Sequence, residues 1–256
     1  MCRFLISLFL MLFIFANLCE GKELTFVSLS PALTETMYAI GAQDMLKGVS
    51  TACTYPEEVK QKEKIGDNFF INNEKILSMK PDYILALDSS EFAVNKFKRF
   101  GITPLCFKYP DIKTIHNNII KVGEITGKKQ EAQVIVKNSE EKILIANKHQ
   151  NKKILYLLQS TPMISIGKKS FITDIIEKSG NISITGNMDS FYPTISEEFA
   201  INEKPDIIIL SFHFDEKRLK KLFPNAKIHF LTPEENDIIN RPGPRIYKSV
   251  EFFANL

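Results

Sequence analysis

The sequence contains no tryptophan, so any broad aromatic surface falls to its 20 phenylalanines and 7 tyrosines. Cysteine is nearly as scarce. Of the 4 cysteines only Cys53 and Cys106 lie beyond the first twenty residues. Neither has a neighbouring His or Asp pair, which argues against zinc, and a disulfide between them is allowed but not required. An excess of one charge is missing too: 33 Lys and Arg stand against 30 Asp and Glu, with the lysines scattered. That balance removes the electrostatic case for a nucleic-acid partner. The chain also lacks an HExxH sequence, a phosphate-binding glycine loop, a local nucleophile–base pair and paired carboxylates, which leaves no basis for a catalytic residue or a bound catalytic metal. No cofactor is implied.

Long hydrophobic runs are confined to the start of the chain. Met1-Cys2-Arg3 followed by the apolar stretch Phe4 to Leu18 has the charge and length of a secretory signal and is short for a membrane span of about 20 residues. Cleavage is expected after Gly21, which would make residues 1–21 a signal peptide and the mature protein periplasmic. Lipid attachment at Cys19 is the competing reading, disfavoured by the bulky Leu18 before it. The remaining chain of about 235 residues suits one large domain or two lobes of about 100 each.

A repeated phrase decides for two. Glu74, five residues, Lys80-Pro81-Asp82 and an apolar run recur as Glu198, five residues, Lys204-Pro205-Asp206 and an apolar run. Each copy reads as a short helix, a stop and a buried strand. Other strands are expected at Leu24 to Leu29, Leu46 to Val49, Thr103 to Phe107, Lys153 to Leu158, Met163 to Ile166 and Lys227 to Leu231. Thr34 is the expected cap of a helix that exits at Gly41, and Asp88-Ser89-Ser90 the cap of one running to about Phe100. Strands this apolar, alternating with helices, indicate an α/β fold with mostly parallel sheets covered on both faces. Ligands of such sheets bind at strand carboxyl ends, here the loops from Ser30, Ser50, Asp88 and Lys108. Residues 128–150 contain neither Gly nor Pro and carry a helical apolar stripe, so one long helix is expected to join an N-terminal lobe, 22–127, to a C-terminal lobe, 151–256.

Ser28-Leu29-Ser30-Pro31 with Thr34-Glu35, Gly48-Val49-Ser50, Tyr55-Pro56, the two Glu…Lys-Pro-Asp units and Gly243-Pro244-Arg245-Ile246 together resemble one family. It is that of the helical-backbone substrate-binding proteins of ABC importers for vitamin B12, ferric siderophores and haem, and the pattern is most similar to the vitamin B12 (cobalamin) binders. The resemblance implies two Rossmann-like lobes bridged by a helix and a macrocyclic or metal-chelate ligand held in the cleft. It also implies a monomer that delivers the ligand to a membrane permease dimer.

By the same resemblance, Glu74 and Glu198 match the acidic residues that meet the permease, one on each lobe. Tyr192 matches a cleft aromatic, and Arg245 an arginine at the cleft rim. Ser30, Tyr55, Phe191 and His213 complete the expected ligand contacts, with Phe69, Phe70 and Phe214 as further candidate walls. Ala52 stands where an aromatic is expected, which leaves the ligand open between a corrinoid, a ferric siderophore and haem. A chelatase-like enzyme of the same two-lobed shape is the remaining alternative.

Overall fold

The computed structural model describes residues 23–67, 70–212 and 214–256. The expected signal segment, Cys19, Phe69 and His213 lie outside the described residues.

The first lobe is built from β1 (Phe26–Ser28), α1 (Pro31–Ala39), β2 (Leu46–Val49), α2 (Asn73–Met79), β3 (Tyr83–Leu87), α3 (Glu91–Val94) and β4 (Thr103–Phe107). Its strands are all parallel, in the order β2-β1-β3-β4. The cap of α1 is Ser30, not Thr34: Pro31, with its fixed φ and missing N–H, starts the helix, and Thr34 is buried inside it. Gly41 does adopt the left-handed exit, at φ 73°. Of the helix expected over 88–100, only the four residues of α3 are α-helical. The flanking turns Asp88–Ser90 and Asn95–Phe100 wind as 3-10 helix. Its buried residues Val94 and Phe97 are three apart, the spacing that a three-residue turn stacks on one side.

Two helices follow, α4 (Ile112–Thr126) and α5 (Lys129–Ala146). Asp111 caps α4 by accepting from the Thr114 N–H at 2.6 Å, and Gly127 ends it at φ 72°. The joining helix α5 stops four residues short of the expected end: Asn147 is already extended, at ψ 110°, and His149 and Asn151 beyond it take left-handed φ values of 49° and 55°.

The second lobe contains β5 (Lys153–Ser160), β6 (Met163–Ser165), α6 (Phe171–Lys178), β7 (Ile182–Ser183), β8 (Thr194–Ile195), α7 (Glu197–Glu203), β9 (Ile207–Leu210), α8 (Glu216–Leu222), β10 (Lys227–Phe230), α9 (Pro233–Ile239) and α10 (Ile246–Ala254). Its sheet runs β10-β9-β5-β6-β8, with β7 also paired to β5. Strands β5, β7, β9 and β10 repeat the parallel arrangement of the first lobe, whereas β6 and β8 add an antiparallel edge.

The repeated phrase has the same geometry in both lobes. Asn72 and Ser196 cap their helices by accepting from Lys75 N and Phe199 N, each at 3.0 Å. Lys80 and Lys204 end them in the left-handed region, at φ 46° and 50°. Asp82 and Asp206 then accept the backbone N–H that opens the neighbouring strand, Thr25 at 2.9 Å and Lys153 at 2.7 Å. The strand that follows is central in each parallel set, β3 between β1 and β4, β9 between β5 and β10.

Each lobe has a hydrophobic cluster of its own and contributes to one more that both share. Along β5 and β9, Ile154, Tyr156, Ile207 and Ile209 face one hydrophobic cluster, while Leu155, Leu157, Ile208 and Leu210 face another. In the first lobe Phe26 and Leu85 fall in the former cluster, and Val27 and Ile84 in a third. The period-two alternation of a strand thus gives each sheet one private face and one shared face. Helices α1, α4, α5, α6 and α10 fill the shared layer, so a single core crosses the molecule.

Candidate interlobe binding site

Exposed aromatic side chains follow the strand ends of the first lobe along the chain. Tyr55 is in the loop after β2, Phe70 in the turn closed by Asp67 N donating to Phe70 O, and Phe92 on α3 just beyond β3. Phe92 is 97% exposed. In the second lobe Phe191 and Tyr192 are half exposed, with ring centroids 6.2 Å apart. The two lobes also meet through an aromatic contact. Tyr109, two residues past β4, packs edge-on against Phe171 at 5.9 Å. Burial, then the nearby Tyr192 and Asp88, push the Tyr109 phenol up against the lowering effect of its hydrogen bond with Ser89.

A second contact between the lobes is polar. Glu35, on α1, is only 2% exposed and accepts from both Arg245 Nε and a terminal Arg245 nitrogen at 2.8 Å. It also accepts from Arg241 at 3.0 Å. Arg241 in turn donates to Thr54 at 2.9 Å and pairs with Asp237 at 2.7 Å. The Arg245 guanidinium lies 4.0 Å from the centre of the Tyr55 ring. Two acids and two arginines balance, and the bidentate geometry suits a guanidinium fork. A third contact is Ile112 N–H, at the start of α4, donating to Asp174 on α6 at 2.8 Å.

The expected contacts are therefore divided. Phe191 and Tyr192 are half exposed in the loop before β8. Tyr55 and Arg245 are joined to each other and line a flank cavity of about 870 Å3 that Phe191 and Tyr192 do not border. Arg245, matched to an arginine at the cleft rim, has its guanidinium engaged by Glu35 and Tyr55. Ser30, expected among the ligand contacts, is 1% exposed with no partner for its hydroxyl among the described residues. Phe214 packs against Phe212 instead of standing free. Glu74 and Glu198 are both exposed in the first turns of α2 and α7. Neither carboxylate makes an ion pair among the described residues.

Glu35, Arg241, Tyr109 and Phe171 carry the interlobe contacts, and none of them was among the expected site residues. Glu35 and the two arginines flanking Pro242-Gly243-Pro244 were a visible charge complement, but nothing in their spacing pairs residues over two hundred positions apart. Cys53 and Cys106 are both free thiols. Among the described residues no group of three or more His, Cys, Asp or Glu is arranged to hold a metal ion, and no helix is long and apolar enough to cross a membrane.

Residues 26–227 match the model of a family described as periplasmic binding protein. An uncharacterized ABC transporter substrate-binding lipoprotein of Bacillus subtilis is 30% identical over 92% of this chain and 79% of its own. A vitamin B12-binding protein of Vibrio parahaemolyticus is 27% identical over 96% and 94% of the two chains. Among solved structures, the periplasmic vitamin B12 binding protein of Vibrio cholerae superposes with a TM-score of 0.77 at 24% identity, covering 90% of this chain and 95% of that one. The periplasmic heme binding protein of the same organism gives 0.79 at 18%, covering 91% and 98%. These last two likenesses speak for the fold: two α/β lobes.

Proposed function

The chain belongs to the periplasmic binding protein family, and from that premise we propose that it captures a corrinoid outside the cytoplasm and hands it to an ABC importer. The observation that carries this reading is the set of exposed aromatic faces, Tyr55, Phe70 and Phe92 on one lobe and Phe191 and Tyr192 on the other. A broad, flat metal macrocycle presents apolar ring edges that such faces bury, and vitamin B12-binding relatives support the choice of macrocycle. Recognition rests on Phe and Tyr alone, in a chain without tryptophan. Haem or a ferric siderophore in the same place is the competing ligand. Residues 1–21 serve as the export signal in this reading.

Calorimetry of the mature chain against cyanocobalamin, haem and ferrichrome tests the choice. Saturable binding of cyanocobalamin, weakened about tenfold by Tyr192→Ala, is the expected result. A haem Soret shift without cyanocobalamin binding would sink the corrinoid reading.

Glu74 and Glu198 are assigned the docking contacts with the importer. Both are exposed and free of ion pairs among the described residues, and the repeat puts one on each lobe. Exposed pairs contribute little energy, so they orient the complex more than they tighten it. Glu74→Ala and Glu198→Ala are expected to leave cyanocobalamin affinity unchanged while each cuts uptake. Loss of ligand affinity in a folded variant would refute the assignment.

A further inference from the structure

The flank cavity of about 870 Å3 is within the usual size of small-molecule sites. It reaches Gln43 and Asp44, in the turn that leads into β2, so it extends toward the amino ends of the strands, away from the loops assigned to the corrinoid. Glu35, Tyr55 and Arg245 are common to both places. Ile135 of α5 and Pro56 and Pro244 give it apolar wall.

Three tyrosines line it, Tyr38, Tyr55 and Tyr247. Two of their rings already hold a cation on one face: Arg245 over Tyr55 and Lys142 over Tyr247, each at 4.0 Å. The free charge in the lining is negative. Glu35 and Arg245 are spent on each other, and Lys62 is turned into the wall, its Nζ donating to the carbonyls of Gln43 and Leu46 at 2.8 and 3.1 Å. Asp44 and Glu58 are exposed and make no hydrogen bond or ion pair among the described residues. Both act on Tyr38, whose phenol is pushed up by burial and then by these two carboxylates.

We propose that this cavity is a second binding site, separate from the interlobe one, for an organic cation: an amine or quaternary ammonium carrying an apolar group. The carboxylates of Asp44 and Glu58 and the Tyr38 ring take the charged end, and Ile135 with the two prolines takes the apolar end. A neutral molecule of the same shape gains only the second half of these contacts.

The test is calorimetric titration of the full mature chain with benzyltrimethylammonium and, separately, with benzyl alcohol as the uncharged counterpart. The cation should bind saturably, with a Kd below about 1 mM, and benzyl alcohol should be at least about tenfold weaker. The double variant Asp44→Asn/Glu58→Gln should lose about tenfold in affinity for the cation, with an unchanged melting temperature because both residues are exposed. Tyr38→Leu should lose a similar factor. Absence of saturable cation binding, equal affinity for the uncharged compound, or a double variant that binds as the parent does would each overturn the proposal.

Discussion

Glu35 shows how one residue can be decisive for a molecule of two lobes. A carboxylate this buried is tolerable only because two guanidinium groups of the other lobe meet it with three hydrogen bonds of 2.8 to 3.0 Å. Removing its charge leaves both arginines, themselves mostly covered, short of an acceptor. Glu35→Gln should therefore cost about 3 kcal/mol, the low end for breaking a buried pair, since Arg241 keeps Asp237. Urea denaturation measures it, and a loss under about 1 kcal/mol would mean that the pair behaves as a surface one. Asp206 is the contrasting case, a carboxylate engaged with backbone. Its acceptance from Lys153 N at 2.7 Å fixes the entry of β5, and Asp206→Ala should lower stability by about 1–3 kcal/mol in the same assay.

The helical hairpin of α4 and α5 is pinned by a buried histidine. His116 Nε2 lies 3.0 Å from Ser139 Oγ, and Nδ1 lies 3.7 Å from Glu140. Burial pushes its pKa below the ordinary 6.5, against the raising influence of Glu140 and Asp174. The unfolded chain thus takes up a proton near pH 6.5 that the folded chain takes up only at lower pH. The stability that His116 contributes is complete above that value and is lost as pH falls through the lowered folded pKa. Urea midpoints should drop from about pH 7.5 to about pH 5, and His116→Asn should reduce that drop; an unchanged drop would exclude this histidine as its source. At this scale much was legible before the structure. The parallel strands, the left-handed exit at Gly41 and the twin Lys-Pro-Asp units follow from apolar runs and local stops, which are properties of a few adjacent residues. Helix α4 and the edge strand β8 were not foreseen, the latter because Thr194–Ile195 is too short to show alternation. Of the candidate site, the aromatic loop residues Phe191, Tyr192 and Tyr55 are visible in the sequence, but the contacts of Tyr109 with Phe171 and of Glu35 with Arg245 depend on how the lobes meet, which no local pattern encodes.

For the whole molecule, the shared core limits what the lobes can do. Hinged opening would break the contacts of α1, α4, α6 and α10 with one another, so ligand entry relies on a cleft that is largely formed beforehand. A small closing motion is all that the geometry favours. The same layer of helices has a consequence for covalent continuity. Each half of the chain alone would expose its side of the common core, whereas a chain cut between α5 and β5 keeps every packed surface and loses only one tether. A protease site placed in residues 147–151 should therefore give a nicked protein whose fragments co-elute in gel filtration and unfold in one thermal transition. Fragments that part under native conditions would show the helices to be a strap between two independent bodies. Fragments that stay together would make this binding protein a split protein in waiting, its halves able to find each other from separate chains.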